Sequence, residues 1–176
     1  MKKRNGDWIQ TYTGKKFYPL DPRPEDICIE DIAHALSLTC RYNGHSKVFY
    51  SVAEHCVRMS STDLPGDPKW LLMHDAAEAY LSDVPRPIKP MLPEFKEIEN
   101  SILSIIAIKY NLGFPDLPSI KYSDAVMLST EKRDIILPGP EWDWRLPKPL
   151  PNKILPWDSS SAETCFLLRA KILEIS

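Results

Sequence analysis

The sequence predicts an all-α fold, a single domain over residues 1–176, and three features point there. Apolar residues recur at helical spacing in six separate segments. Of the 17 prolines, 13 gather between those segments in three clusters, at Pro19–Pro24, Pro85–Pro93 and Pro138–Pro156. Proline lacks the amide donor of a helix and disfavours helix for the residue before it, so each cluster is a break. Strand signal is thin and confined to "WIQTYTGKKFYPL", which fits a short hairpin turning at Thr13–Gly14.

That hairpin belongs to an N-terminal arm of residues 1–28. "IEDIAHALSLTC" follows as the first helix, with Ile29, Ile32, Ala33, Leu36 and Cys40 on one face. "SVAEHCVRMS" is the second, with Ser51 and Glu54 in capping-box spacing. "PKWLLMHDAAEAYL" is the third, with Asp67 as N-cap and Pro68 in the first helical position. "PEFKEIENSILSIIAIKYNL" is a long fourth that ends near Gly113. "PSIKYSDAVMLSTEKRDIIL" is a fifth stopped by Pro138. Residues 138–157 form an irregular Pro/Trp-rich loop, and "SSSAETCFLLRAKILEI" closes the chain as a helix.

A formal charge of −2 argues against a surface that coats polymeric nucleic acid. It leaves room for a small anion in a local cationic pocket. The run "SILSIIAIKYNL" is too short and too polar at its ends to span a bilayer, and Gly6, Asp7 and Gln10 interrupt any leader-like apolar stretch. Cys28, Cys40, Cys56 and Cys165 show no Cys-x-x-Cys pairing, so free thiols in a cytoplasmic protein are expected.

The chemistry concentrates in "LLMHDAAEAY", residues 71–80. Glu78 lies three and four positions after Asp75 and His74, so all three can share a helix face. Leu71, Leu72, Met73, Ala76 and Ala77 make the segment fit for a core, where polar groups cost free energy without partners. A divalent cation satisfies both imidazole and carboxylate. His55, within "SVAEHC", and Asp124, within "KYSDAVML", are further ligand candidates on two other helices. Taken singly, each has a plain explanation: a satisfied core histidine, a helix cap, a solvated carboxylate. Their order, His, then His-Asp, then Asp on successive helices, is far more specific.

That order resembles the signature of the HD-domain metal-dependent phosphohydrolase superfamily, and the resemblance runs from about Ile29 to Asp134. Its most telling pieces are "CRYNGHSKVFYSVAEHC", "LLMHDAAEAYLSDVPRPIK" and "KYSDAVML". The chain looks closest to the small deoxyribonucleoside 5'-monophosphatases and the phage-type dATP triphosphohydrolases. The resemblance implies an HD-domain helical bundle in which His55, His74, Asp75 and Asp124 hold one divalent ion. It implies a catalytic role for Glu78 with Asp83 nearby, a phosphate grip for Arg41, and a base or sugar contact for Tyr42. It implies a homo-oligomer in the cytoplasm, or in the host cytoplasm if phage-encoded. Neither the arm nor the Pro/Trp loop has an assigned counterpart in that family.

Phosphoester hydrolysis needs a nucleophile and a means of neutralising charge. A metal with open positions supplies both, lowering the pKa of water from ~15.7 toward ~7. Two histidines and two carboxylates suit Co, Mn, Zn, Fe or Mg. Glu78 is the general acid/base candidate, and Arg41 offers a planar fork that matches phosphate. His45, Lys47, Arg86 and Lys89 are further candidates for the substrate anion. His34 is read as structural, and Cys56 points about 100° away from His55 and is not counted as a ligand. Trp142 and Trp144 in "EWDWRLP" would share one side of an extended loop, placed to close over a nucleotide or meet another subunit. The leading expectation is hydrolysis of deoxynucleoside 5'-triphosphates, dATP-type, to deoxynucleoside and tripolyphosphate. The alternatives are a dNMP 5'-nucleotidase and a non-catalytic metal- or nucleotide-binding module; a cyclic-nucleotide phosphodiesterase fits less well.

Overall fold

The computed structural model describes residues 4–142 and 145–175. The chain is mostly helical. Two short strands, β1 (Ile9–Gln10) and β2 (Lys16–Phe17), pair antiparallel with Ile9 opposite Phe17. Gly14 turns the hairpin at φ +83°, a region glycine enters without a Cβ clash. The helices are α1 (Ile29–Leu38), α2 (Val52–Ser60), α3 (Pro68–Met73), α4 (Glu78–Leu81), α5 (Pro93–Lys109), α6 (Leu117–Asp134) and α7 (Ser159–Ile172).

The bundle is organised around α2. Every α2 residue except Arg58 is buried, and α1, α3, α6 and α7 all pack against it. One apolar cluster joins Ile32, Leu36, Val52, Cys56, Ile102 and Phe166; a second joins Tyr50, Met59, Trp70, Leu71, Ile120 and Met127. Each large side chain buried this way contributes ~1.5–3 kcal/mol. A helix enclosed on all sides must find partners for its polar side chains, and this requirement shapes the site.

The helix starts follow the residues that can cap them. The Ser51 side chain accepts from the Glu54 amide at 3.1 Å, Asp67 from Lys69 at 2.9 Å and Asp158 from Ser161 at 2.8 Å. Only half of the expected capping box forms. The Glu54 carboxylate turns instead to Arg58 Nε at 2.8 Å and the Trp157 amide at 2.9 Å.

Several boundaries differ from the sequence expectation. α1 stops at Leu38, so Cys40 leaves the helix and bridges to Ser51. α5 is ended by Asn111, at φ +48°, rather than by Gly113; the Leu112 amide then returns to the Ala107 carbonyl at 2.9 Å. α6 ends at Asp134, before Pro138 is reached. The expected third helix divides into α3 and α4. Between them the chain runs in tighter i→i+3 steps, Ala76 N to Met73 O at 3.0 Å and Glu78 N to Asp75 O at 2.9 Å. The cause is local: His74 Nδ1 lies 3.0 Å from the Leu71 carbonyl, the acceptor a continuing α-helix would offer to the residue-75 amide.

The arm lies on α1 and α4 of its own chain. The Thr13 amide and hydroxyl donate to Asp31 at 2.7 and 3.0 Å, Tyr12 stacks on His34 at 3.6 Å and Phe17 on Tyr80 at 4.0 Å. His34 also meets Glu163 at 3.1 Å, the structural role expected of it. The Pro-rich loop is irregular over its described residues, and its second half is strapped down. The Leu150 amide donates to Thr130 Oγ1 at 2.9 Å and the Ile154 amide to Asp134 at 2.8 Å; Arg133 donates to the Leu150 and Asn152 carbonyls. No helix is long and apolar enough to cross a membrane among the described residues, and the four cysteines are free.

Candidate metal centre

Four elements meet at one polar cluster. α2 supplies His55, the tightened turn between α3 and α4 supplies His74 and Asp75, α6 supplies Asp124 and Glu131, and the turn before α2 supplies Arg41 and Tyr42. Ligand atoms of His55, His74 and Asp75 lie within 4.8 Å of one another, so this group could hold a metal ion. Asp124 Oδ1 sits 3.4 Å from His55 Nε2, which brings the fourth expected ligand to the same place.

The orientation of the imidazoles tests whether these residues fit a cation. His55 is fully buried, and its Nδ1 donates to Glu131 Oε1 at 2.6 Å. His74 Nδ1 donates to the Leu71 carbonyl, because a carbonyl can only accept. Both Nδ1 atoms are thus spent, and both Nε2 atoms are buried without a hydrogen-bond partner. Two buried imidazole nitrogens left over in this way, with carboxylates beside them, match the donor set and outer-shell anchoring of protein metal sites.

Charge is balanced closely here. Burial alone would lower the His74 pKa, but Asp75, 3.2 Å from Nε2, raises it well above the ordinary value; Asp75 in turn is held well below its own. In the metal-free chain a cation therefore competes with the His74 proton. Glu131 would be raised by burial, yet Arg41 and His55 bring it down to about 2. Glu78, only 6% exposed, goes the other way. Burial, then Asp75 and Asp83, push its carboxyl up to about 9 against the opposing pull of Lys89 and Arg41. The tight turn places Asp75 and Glu78 one three-residue step apart, nearly eclipsed. Burial also raises Asp83, and it raises the Cys56 thiol, keeping Cys56 protonated.

The cations are unequally placed. Arg41, with 12% of its side chain exposed, stands 3.4 Å from Glu131, 3.5 Å from Asp75 and 3.9 Å from Asp124. Arg86 reaches Asp124 at 3.2 Å from the surface, 70% exposed. Lys89 bridges Glu78 at 3.3 Å and Glu99 at 3.0 Å. His45 sits exposed at the end of the Arg41–Gly44 turn, and Lys47 Nζ is 3.4 Å from the Asp134 carbonyl.

Two strained stretches border the cluster. Tyr42 and Asn43 both have positive φ, +57° and +49°, and Ser82 has φ +76° with ψ 159° directly before Asp83. Such conformations cost ~1–3 kcal/mol each in non-glycine residues and persist where surrounding contacts enforce them, often at functional sites. Here the Tyr42 hydroxyl donates to Glu131, which holds the turn against the cluster.

No family model matches the chain. Over 130 residues the chain is 45% identical to the Escherichia coli K12 protein named "Uncharacterized protein YfdR", a match covering 73% of this chain and 72% of that one. It belongs to the YfdR family. A Rhodobacter capsulatus protein, "Uncharacterized protein RCAP_rcc00048", is 31% identical over 142 residues, again covering 73% of this chain and 72% of the relative. Neither name states an activity, so the chemistry of this YfdR-family chain rests on the site.

Sequence reasoning overlooked Glu131 in this YfdR-family site. "STEKRD" reads as the solvated end of a helix, yet Glu131 is fully buried. A signal was available: Glu131 follows Asp124 by seven residues, about two helical turns, and therefore shares its face. Glu99, which takes Lys89 away from open solvent, was also overlooked. Trp144 lies outside the described residues, so the two-tryptophan face over the site is not described; Lys132 Nζ stands 4.5 Å over the Trp142 ring.

Proposed function

We propose that this chain is an HD-domain phosphohydrolase that uses one divalent metal to hydrolyse deoxynucleoside 5'-phosphates. The observation that carries the reading is the pair of buried Nε2 atoms of His55 and His74, which make no hydrogen bond and face the carboxylates of Asp124 at 3.4 Å and Asp75 at 3.2 Å. These four residues would hold the ion. When bound, it would supply positive charge for a phosphoryl oxygen and bring the pKa of water toward neutrality.

The chain's own residues supply the rest. Arg41 offers the buried fork for phosphate, released from its loose 3.4–3.9 Å spread over three carboxylates. Glu78 is the general acid/base candidate: it is 6% exposed, and in the metal-free chain burial, then Asp75 and Asp83, raise its carboxyl to about 9. Arg86, 3.2 Å from Asp124, and Lys89, 3.3 Å from Glu78, add two cations at the edge of the cluster, and the triphosphate reading draws on these extra charges. The dNMP 5'-nucleotidase reading is favoured by one opposing observation, the engagement of Lys89 by Glu78 and Glu99.

The test is product analysis by anion-exchange chromatography after incubating metal-supplemented protein with separate dNMPs and dNTPs, with Asp75→Ala as control. Deoxynucleoside plus tripolyphosphate, lost in the variant, supports the triphosphohydrolase. Deoxynucleoside and phosphate from dNMPs alone moves the conclusion to the 5'-nucleotidase. Metal binding without turnover on either substrate class leaves a non-catalytic binding module and overturns the proposal.

A further inference from the structure

Glu131 occupies a singular place in the cluster. It is fully buried, and its two oxygens serve different parts of the site. Oε1 accepts from His55 Nδ1 at 2.6 Å. Oε2 accepts from the Tyr42 hydroxyl and lies 3.4 Å from an Arg41 nitrogen. The same helix grips the other side of the His55 ring, since Asp124 Oδ1 stands 3.4 Å from Nε2. Seven residues apart, Asp124 and Glu131 face the same way from α6 and flank one imidazole at both nitrogens. Tyr42 meanwhile sits in a conformation that a bulky residue rarely adopts, φ +57°. The Glu131 contact holds it there.

We propose that Glu131 is a positioning residue that joins the metal ligand His55 to the Arg41–Tyr42 turn. One oxygen fixes His55 as the tautomer with the proton on Nδ1, presenting Nε2 to a cation. The other oxygen anchors the turn that would meet the substrate. Loss of Glu131 therefore harms two functions that Tyr42 or His55 alone would not harm together. The inference rests on the reading of the cluster as a metal site.

The first measurement needs no variant. Long-range ¹H–¹⁵N histidine spectra of the metal-free protein, with His55 assigned by its absence in His55→Gln, report which ring nitrogen carries the proton. A proton on Nδ1 is expected; a neutral ring protonated on Nε2 overturns the proposal. The second measurement is Co²⁺ titration by visible absorption, together with kcat and KM at saturating metal. Glu131→Gln should weaken Co²⁺ binding ~10–100-fold, the usual effect of removing an outer-shell carboxylate, and raise KM at least ~5-fold. Tyr42→Phe should raise KM similarly while leaving Co²⁺ affinity within ~2-fold. Glu131→Gln with unchanged Co²⁺ affinity, or with only a lower melting temperature, overturns the proposal. If Glu131→Gln does not fold, the wild-type tautomer and Tyr42→Phe decide, and an unchanged KM in Tyr42→Phe overturns the anchoring role. Wild-type protein that binds no Co²⁺ sinks the metal reading and this inference together. A defect absent only in the Glu131→Gln comparison sinks this inference alone.

Discussion

Two arginine–carboxylate networks in this molecule use the same residue types to opposite ends. At the arm, Arg4 meets Asp26 at 2.5 Å and Asp21 at 3.0 Å, and Arg23 meets Asp21 at 3.1 Å. These are close, partly exposed pairs that tie the start of the arm to residues 21–26. In the interior, Arg41 meets Glu131, Asp75 and Asp124 only at 3.4–3.9 Å, and two imidazole nitrogens nearby lack hydrogen-bond partners. The surface network is arranged for itself. The buried one is loose where tightness would be most rewarded, because charge interactions strengthen as water is excluded. Under the proposed reading, the two unsatisfied imidazole nitrogens leave the buried cluster open to a cation.

The sharpest way to break this comparison is to remove a ligand. His74→Ala should abolish metal binding and turnover, by more than the ~10–100-fold typical of an outer-shell change, while circular dichroism remains helical. Retained metal affinity would place the site elsewhere.

Next in size is the contrast between the arginines. Arg41→Ala leaves Glu131 buried without its cation and should cost ~3–5 kcal/mol of stability in chemical denaturation. Arg4→Ala, at the surface, should cost ~0–1 kcal/mol. Equal losses would show that burial does not distinguish the two networks.

A third effect depends on pH. The folded pKa of Glu78, raised to about 9, lies above the ordinary 4.5. The folded state then holds a proton that the unfolded chain releases, so stability is fully present below about 4.5 and declines as pH rises toward 9. The slope approaches ~1.4 kcal/mol per pH unit. In metal-free protein, Glu78→Gln should flatten that decline and raise stability at pH 8, even as turnover falls. Glu131 has the reverse sign. Its pKa, lowered from 4.5 to about 2, gives stability that is present above 4.5 and lost as pH falls toward 2. Urea melts of wild type, Glu78→Gln and Glu131→Gln across pH 3–9 separate the two.

The smallest expected effect is that of salt. Raising ionic strength to ~0.5 M should remove most of the stability difference between wild type and Arg4→Ala, since exposed charges are screened over less than ~10 Å. It should leave the larger part of the Arg41→Ala difference intact. A salt-insensitive Arg4 would sink the description of the arm as a solvated network.

Much of the fold was legible in the residues. Asp67–Pro68 and Ser51 begin helices because their side chains and backbone geometry suit only that place. His55, His74 and Asp75 announced themselves as polar residues inside apolar helical segments. The break after Met73 was not legible, because it depends on where the His74 ring finds its acceptor. Glu131 was hidden for a related reason: its local sequence matches a solvated helix end.

The sequence by itself determined that this chain is mostly helical, where most of its helices begin, and which histidines and aspartates need partners within an apolar core. Those are consequences of spacing, capping and the cost of burying polar groups, all local in the chain. Only the tertiary structure decided that Glu131 and Asp124 would clamp one imidazole, that Arg41 would stand among three carboxylates, and that Lys89 would be drawn to Glu99. Burial and partnership arise where helices distant in sequence come together, and a carboxylate carries no local mark of which helix will cover it.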